Sequence, residues 1–168
     1  MSVSSSTFRF FMQGHDPAPS PYLDGVTATK TIEAVLTEGN GASQVQTVTA
    51  VDATLSAGGT LSIDLKTATS AYGNVLVLDE VVAAYIENAA DGDGGTIEVQ
   101  PNATNGFTNL LGTGSAILLP KGTAVAFFLT DFSGVDKWLV TGTNKVIDIV
   151  ETGGANDAHI VLQLWGRR

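Results

Sequence analysis

The sequence predicts an all-β protein, an antiparallel β-sandwich or jelly roll of about eight to ten strands behind an extended N-terminal arm. Three observations carry that reading. Short segments alternate apolar and polar residues with a period of two, the repeat of a strand with one buried face. They recur at roughly ten-residue spacing, separated by clusters of Gly, Asn, Asp and Ser that favour turns. A chain of 168 residues with no cysteine is most simply one domain, long enough to bury roughly 70% of its unfolded surface without disulfides.

Composition narrows the function classes. A formal charge of −9 argues against a general nucleic-acid binder, because phosphate affinity needs clustered Lys and Arg. No Lys or Arg falls between Lys30 and Lys66, or between Lys66 and Lys121. Those surfaces are therefore built from Thr, Ser, Asn, Gln and acids, which suits flat packing against neighbours. The lack of cysteine excludes disulfides, thiolate zinc sites and a Cys nucleophile. No apolar run approaches the ~18 residues of a membrane span, and Phe10-Phe11-Met12 is too short for a signal core. The expectation is a soluble protein made in the cytoplasm.

Residues 1–25 are read as the arm and residues 26–168 as the sandwich domain. The arm carries Phe8, Phe10 and Phe11, then Pro17, Pro19 and Pro21, whose alternation favours an extended path. Aromatics so close together are costly to leave in water, at ~1.5–3 kcal/mol each. The arm is expected to dock through them, within its own chain or on another.

Val26–Leu36 alternates as a strand, with a short helix as the rival because Ile32, Val35 and Leu36 also fit a helical period. Its threonines favour the strand. Val45–Leu55 and Thr60–Lys66 read as strands joined in a hairpin by Ala57-Gly58-Gly59. In Val81–Ile86, Val81, Ala83 and Tyr85 are expected to point one way and Val82, Ala84 and Ile86 the other. Both sets are apolar, so both faces need cover, and a second subunit is one source of it. Asp91–Gly95 is read as a hairpin turn leading to Thr96–Gln100. Pro101–Ser115 is long for a connection and places Phe107, Leu110 and Leu111 on one helical turn. Ala116–Leu119 and Thr123–Leu129 are strands hinged at Pro120-Lys121-Gly122. Trp138–Thr141, Val146–Glu151 and Ala158–Trp165 complete the set, the last with Ile160, Leu162 and Leu164 inward.

The chemistry-bearing motifs fail one by one. Asp91 and Asp93 resemble the start of a calcium loop, but the positions for its Gly and its closing acid hold Thr96 and Asn102. They remain a weak calcium candidate, and turn chemistry explains them better. His15 and His159 have no metal partner at helical or strand spacing. Gly112-Thr113-Gly114-Ser115-Ala116 lacks the nucleophile-elbow spacing. The glycine turns lack the Gly-Lys-Ser/Thr of a phosphate loop. Trp138, Trp165, Tyr22 and Tyr72 are scattered, which favours packing over a sugar-stacking platform. No catalytic residue and no cofactor is implied, and no enzyme activity is expected.

Tyr72-Gly73-Asn74, Tyr85-Ile86-Glu87-Asn88, Asn105-Gly106-Phe107, the Leu119-Pro120-Lys121-Gly122 turn and the closing Ile160–Gly166 together resemble small all-β virion proteins of tailed phages. The resemblance covers about residues 60–166. Lys121 and the proline-containing arm depart from the group's pattern. The resemblance implies a β-sandwich that assembles on a capsid or tail, with no enzyme activity. The two-faced apolar strand, the aromatic arm, the acidic low-Lys surface and the absence of a site lead to the expectation of a capsid decoration or cement protein, binding the major capsid protein or other virion proteins. It is expected to assemble as a homo-oligomer, a trimer favoured, with no nucleic-acid or membrane partner. Interface candidates are Phe8, Phe10, Phe11, Val81, Ala83, Tyr85, Phe107, Leu110 and Trp165. The alternative is a tail- or fibre-associated carbohydrate- or receptor-binding module.

Overall fold

The alternating segments fold as strands, and most of them form two antiparallel sheets packed face to face. The computed structural model describes residues 5–16, 26–38, 44–45, 47–69, 75–89, 94–128, 138–153 and 156–167. In chain order its strands are β1 (Ser5–Asp16), β2 (Val26–Glu38), β3 (Gln44–Val45), β4 (Thr47–Leu55), β5 (Thr60–Asp64), β6 (Ala68–Thr69), β7 (Val75–Leu76), β8 (Glu80–Asn88) and β9 (Ile97–Pro101). A one-turn helix, α1 (Thr108–Leu111), precedes β10 (Ile117–Leu119), β11 (Thr123–Phe128), β12 (Trp138–Leu139), β13 (Val146–Glu151) and β14 (Ala158–Arg167).

Two smaller sheets are β1-β2-β3 and β6-β7. Of the main pair, one sheet has the order β10-β9-β13-β5 and the other the order β11-β8-β14-β4, with β12 also on β8. The two orders run in step: β10 and β11, β9 and β8, β13 and β14, β5 and β4 are each consecutive in sequence and lie in opposite sheets. With the connections from β5 to β8 and from β12 to β13, six connections cross between the layers, and this wrapping is that of a jelly roll. Hydrogen bonds between the crossing loops, Glu151 N–H to Gly59 O (2.9 Å) and Thr152 N–H to Thr96 O (2.8 Å), gather three of them at one end.

Two expected hairpins are corrected by this topology. Ala57-Gly58-Gly59 does not pair β4 with β5, because β4 pairs β14 and β5 pairs β13. Nor does the turn after β8 pair it with β9, which lies between β10 and β13. The reason is that a tight turn looks the same whether it closes a hairpin or an arch. Gly58 has a φ of 69°, which suits either. What decides is where the apolar faces of the flanking strands are buried, and here they face each other across the layers.

The core between the sheets comes from the inward positions of both. Ile86, Ile160, Leu162 and Leu164 of one sheet join Ile63, Ile97, Val99, Ile147 and Ile149 of the other, all 5% exposed or less. Each such side chain contributes ~1.5–3 kcal/mol by leaving water. Phe107, at the start of α1, is 1% exposed and belongs to the same core. Along β9, Ile97 and Val99 are fully buried while Glu98 and Gln100 on the opposite face are half-buried.

The alternation expected along β8 breaks in the middle. Trp165 of β14 lies opposite Ala83, but Gly166 lies opposite Val81, so Val82 is an extra residue in the β8–β14 ladder. Such a bulge sets two residues against one and changes the phase of the strand. Val81 accordingly joins Ala84 and Ile86 in the inter-sheet core, while Val82 and Ala83 join Trp165 and Val45 in a separate cluster with Val48 and Tyr85. Val81 therefore does not share a face with Ala83 and Tyr85. The second apolar face of β8 is buried in part within the chain itself, with Val82 and Ala83 each 1% exposed.

Ahead of the sandwich, β1 runs antiparallel to β2 from Ser5 opposite Thr37 to Asp16 opposite Val26. The segment read as an extended arm thus contributes a strand, and Val26–Leu36 is a strand rather than a helix. Thr37 and Glu38 pair in parallel with Gln44 and Val45 of β3, one residue ahead of β4.

The bulge leaves no room for a side chain at Gly166, where a Cβ would sit 2.5 Å from Glu80 O and 2.9 Å from Leu78 Cδ2. Gly166→Ala should destabilise the protein by ~2 kcal/mol, of the order seen for overpacked sites. Urea denaturation would show a lowered midpoint at unchanged slope.

Candidate functional site

The surface with the most regular construction is the outer face of the sheet β11-β8-β14-β4. Strand pairing sets its residues in rows. Ala126, Tyr85, Gln163 and Ala50 lie side by side, and Ala124, Glu87, Val161 and Asp52 form the next row. Alanine and valine alternate there with Tyr85, Gln163, Glu87 and Asp52, and the one Lys or Arg in these four strands is Arg167. That guanidinium is taken up by Glu80, its cross-strand neighbour, with Nη2 2.7 Å from Oε1 and side chains only 7% and 9% exposed.

Two polar pairs punctuate the rows. The Tyr85 hydroxyl donates to Glu87 Oε2 at 2.6 Å. That hydrogen bond, together with burial and the carboxylate's charge, pushes the phenol up to about 12, because ionising it would set two negative charges in contact. His159 Nε2 lies 2.7 Å from Asp52 Oδ1, joining β14 to the neighbouring strand. Towards the bulge the face turns apolar through Val82, Ala83 and Trp165.

The end of the sandwich where the arches cross concentrates polar side chains, and they are used up in holding loops. Asn88, 1% exposed, donates from Nδ2 to Gly95 O (2.7 Å) and Leu119 O (2.9 Å). The Glu151 carboxylate accepts from Gly58 N–H (2.6 Å) and Gly153 N–H (2.5 Å). Asp157 accepts from Ala57 N–H at 3.2 Å. Backbone groups that leave one sheet for another lose their ladder partners, and these side chains replace them. On the other sheet, Asp148 accepts from Ser62 Oγ (2.7 Å) and Asn102 Nδ2 (2.9 Å). Burial opposes ionisation of Asp64, but hydrogen bonds from Lys145 Nζ (2.6 Å) and the Lys66 amide (2.9 Å) outweigh it and hold the carboxyl below the usual range.

The residues singled out from sequence scatter across these settings. Val81 and Phe107 lie in the inter-sheet core, and Leu110 packs half-buried against it. Ala83 and Trp165 lie in the second cluster, with Tyr85 half-buried beside them. The side chains of Phe8, Phe10 and Phe11 lie outside the described residues, as do Asp91, Asp93, Tyr22 and Tyr72. Trp138 meets Phe127 edge to face at 6.5 Å, and Trp165 is 7% exposed, so the two tryptophans are packed into the fold. Sequence reasoning missed Asn88, Glu151 and the Arg167–Glu80 pair. None of them carries a periodic signal, because each is defined by a partner far away in the chain.

Among the described residues, no group of three His, Asp or Glu side chains is placed to hold a metal ion, and no helix is long and apolar enough to cross a membrane. No protein-family model matches the chain, and no curated protein matches its sequence.

The polar framework makes two predictions. Asn88→Ala strands two buried carbonyls and should cost about 2–4 kcal/mol in chemical denaturation, more than a surface substitution. Tyr85 in the folded chain ionises near 12, against 10.0 for an ordinary tyrosine. A raised folded value means that the Tyr85–Glu87 bond stabilises fully below pH ~10 and loses its effect as pH rises through about 12. The alkaline titration at 295 nm of wild type minus Tyr85→Phe should therefore show a single late step. A step near 10 would contradict the contact.

Proposed function

We propose that this chain is a structural protein of a phage virion, a decoration or cement protein that binds the capsid surface as a homo-oligomer and carries out no catalysis. A jelly roll serves many functions, so the reading leans on the outer face of the β11-β8-β14-β4 sheet more than on the fold. Its carrying observation is that rows of Ala, Val, Gln and Tyr, with Glu87 and Asp52 as their two carboxylates, lie across four strands while Arg167, the one Lys or Arg of those strands, is buried against Glu80. Depletion of long charged side chains marks the centre of a protein–protein contact. The partner that fits is another extended protein surface of the virion, the major capsid protein first. The resemblance to small all-β virion proteins points the same way. The carbohydrate-binding alternative draws no support from Trp138 or Trp165, which pack into the fold instead of standing together on a loop surface.

Electron microscopy of purified particles tests the reading. Density for this chain is expected on the outer capsid lattice, at symmetry positions of the shell, with the outer face of the β11-β8-β14-β4 sheet against a neighbour. Density at the tail or fibre would overturn the decoration role, and absence from the particle would overturn the virion role altogether.

A further inference from the structure

The two sheets treat their edges differently. An edge strand exposes a row of unpaired N–H and C=O groups, and proteins ordinarily blunt it with shortness, charge, proline or a bulge. The β10-β9-β13-β5 sheet does so at both edges. Its β10 has three residues and runs into Pro120, and its β5 has five and ends at Asp64, which is paired with Lys145 at 2.6 Å. At one edge of the other sheet, β4 has nine residues, Thr-Val-Thr-Ala-Val-Asp-Ala-Thr-Leu, with no Lys, Arg or Pro. Its pairing with β14 runs without a register shift from Ala158 opposite Leu55 to Gly166 opposite Thr47. Among the described residues β14 is its one strand neighbour, and the seam with β2 stops at Val45 of β3. The single charge of β4, Asp52, is held by His159 of its own sheet at 2.7 Å.

We infer that the open edge of β4 is where a second copy of this chain adds its own β4, antiparallel across a two-fold axis at Val51, joining two sheets into one. Full overlap of the nine residues Thr47–Leu55 with their copy selects that register, because Val51 is their midpoint. A two-fold axis perpendicular to the sheet keeps outer faces outer, so paired residues must lie an even number of positions apart. Centring on Val51 meets this condition: Val51 faces Val51, Ala50 faces Asp52, Thr49 faces Ala53, Val48 faces Thr54 and Thr47 faces Leu55. Centring on Asp52 would set two carboxylates directly opposite, which is destabilising. In the Val51 register each Asp52 faces an alanine instead. The contact is isologous, as a two-fold interface must be, and its main-chain bonds are those of strand addition. The inference concerns the chain's own assembly and stands whichever surface the assembly binds.

Sedimentation equilibrium on the full chain tests it, with circular dichroism and melting to establish that each variant folds. Wild type is expected to be a dimer in reversible equilibrium with monomer. Ala50→Glu places a carboxylate opposite the second copy's Asp52 twice across the axis and should weaken the dimer about fivefold. Ala50→Lys meets the same carboxylate with opposite sign and should leave the dimer equal or tighter. Ala124→Glu, on β11 at the other edge, should leave it unchanged. A wild type that is monomeric at every concentration, or trimeric, would overturn the inference. So would equal responses to the two Ala50 variants, or loss of the dimer in Ala124→Glu. A second test avoids charge. The chain has no cysteine, so Val51→Cys can cross-link only to itself, at the ~4.5–5.5 Å Cα separation of opposed antiparallel residues. Oxidation should give a disulfide-linked dimer on non-reducing gels. A folded, dimeric Val51→Cys protein that fails to cross-link would rule out this register.

Discussion

Everything in this molecule depends on burying two apolar sheet faces against each other. The inward residues of β8 and β14 on one side, and of β9 and β13 on the other, leave water only if the strands that carry them lie in separate layers. That constraint sends the chain across the sandwich six times and fixes the strand order of the jelly roll. It also explains the polar stitching at the crossing end. Each crossing strips backbone groups of ladder partners, and Asn88 and Glu151 supply replacements at four of the connections. Removing a partner from a buried carbonyl costs more than the hydrogen bond itself is worth, so these few side chains matter out of proportion to their number.

The same constraint shapes what faces outward. Once the inner faces are committed, the outer face of the β11-β8-β14-β4 sheet is free to vary, and the chain builds it from alanine and valine alternating with Tyr85, Gln163, Glu87 and Asp52, with its arginine buried. The bulge opposite Trp165 turns Val82 and Ala83 outward together, and Trp165 and Val45 pack with them. A partner is therefore not needed to hide that part of β8. The case for assembly moves from this greasy strand to the rows beside it and to the edge of β4, which has no Lys, Arg or Pro. The proposed binding face and the proposed self-pairing edge belong to one sheet, so pairing two β4 strands would double the width of a flat surface.

Much of the fold was legible in the order of residues. Strand identity followed from alternation, as in Thr60–Asp64 and Ala158–Leu164, because a period of two has only one structural meaning when one face is buried. The β-sandwich or jelly-roll class followed from the spacing of such segments. What could not be read was which strands pair. Ala57-Gly58-Gly59 and the glycine turn after β8 carry local chemistry that serves a hairpin and an arch equally well. The bulge was hidden as well, since Val81–Ile86 is apolar at every position and shows no phase to break.

The amino-acid sequence by itself determined that the chain is a cysteine-free, acidic, all-β protein, and that Ile160, Leu162 and Leu164 face inward. These are properties of composition and of local periodicity, which act over a few residues. Tertiary structure alone decided that Phe107 and Val81 are core, that Trp165 covers Val82 and Ala83, that Arg167 meets Glu80, and that β4 is left at an edge. Each of these depends on residues tens of positions apart being brought together by the wrapping of the sheets. Burial and charge neutralisation are settled by such neighbours, and no local pattern records them.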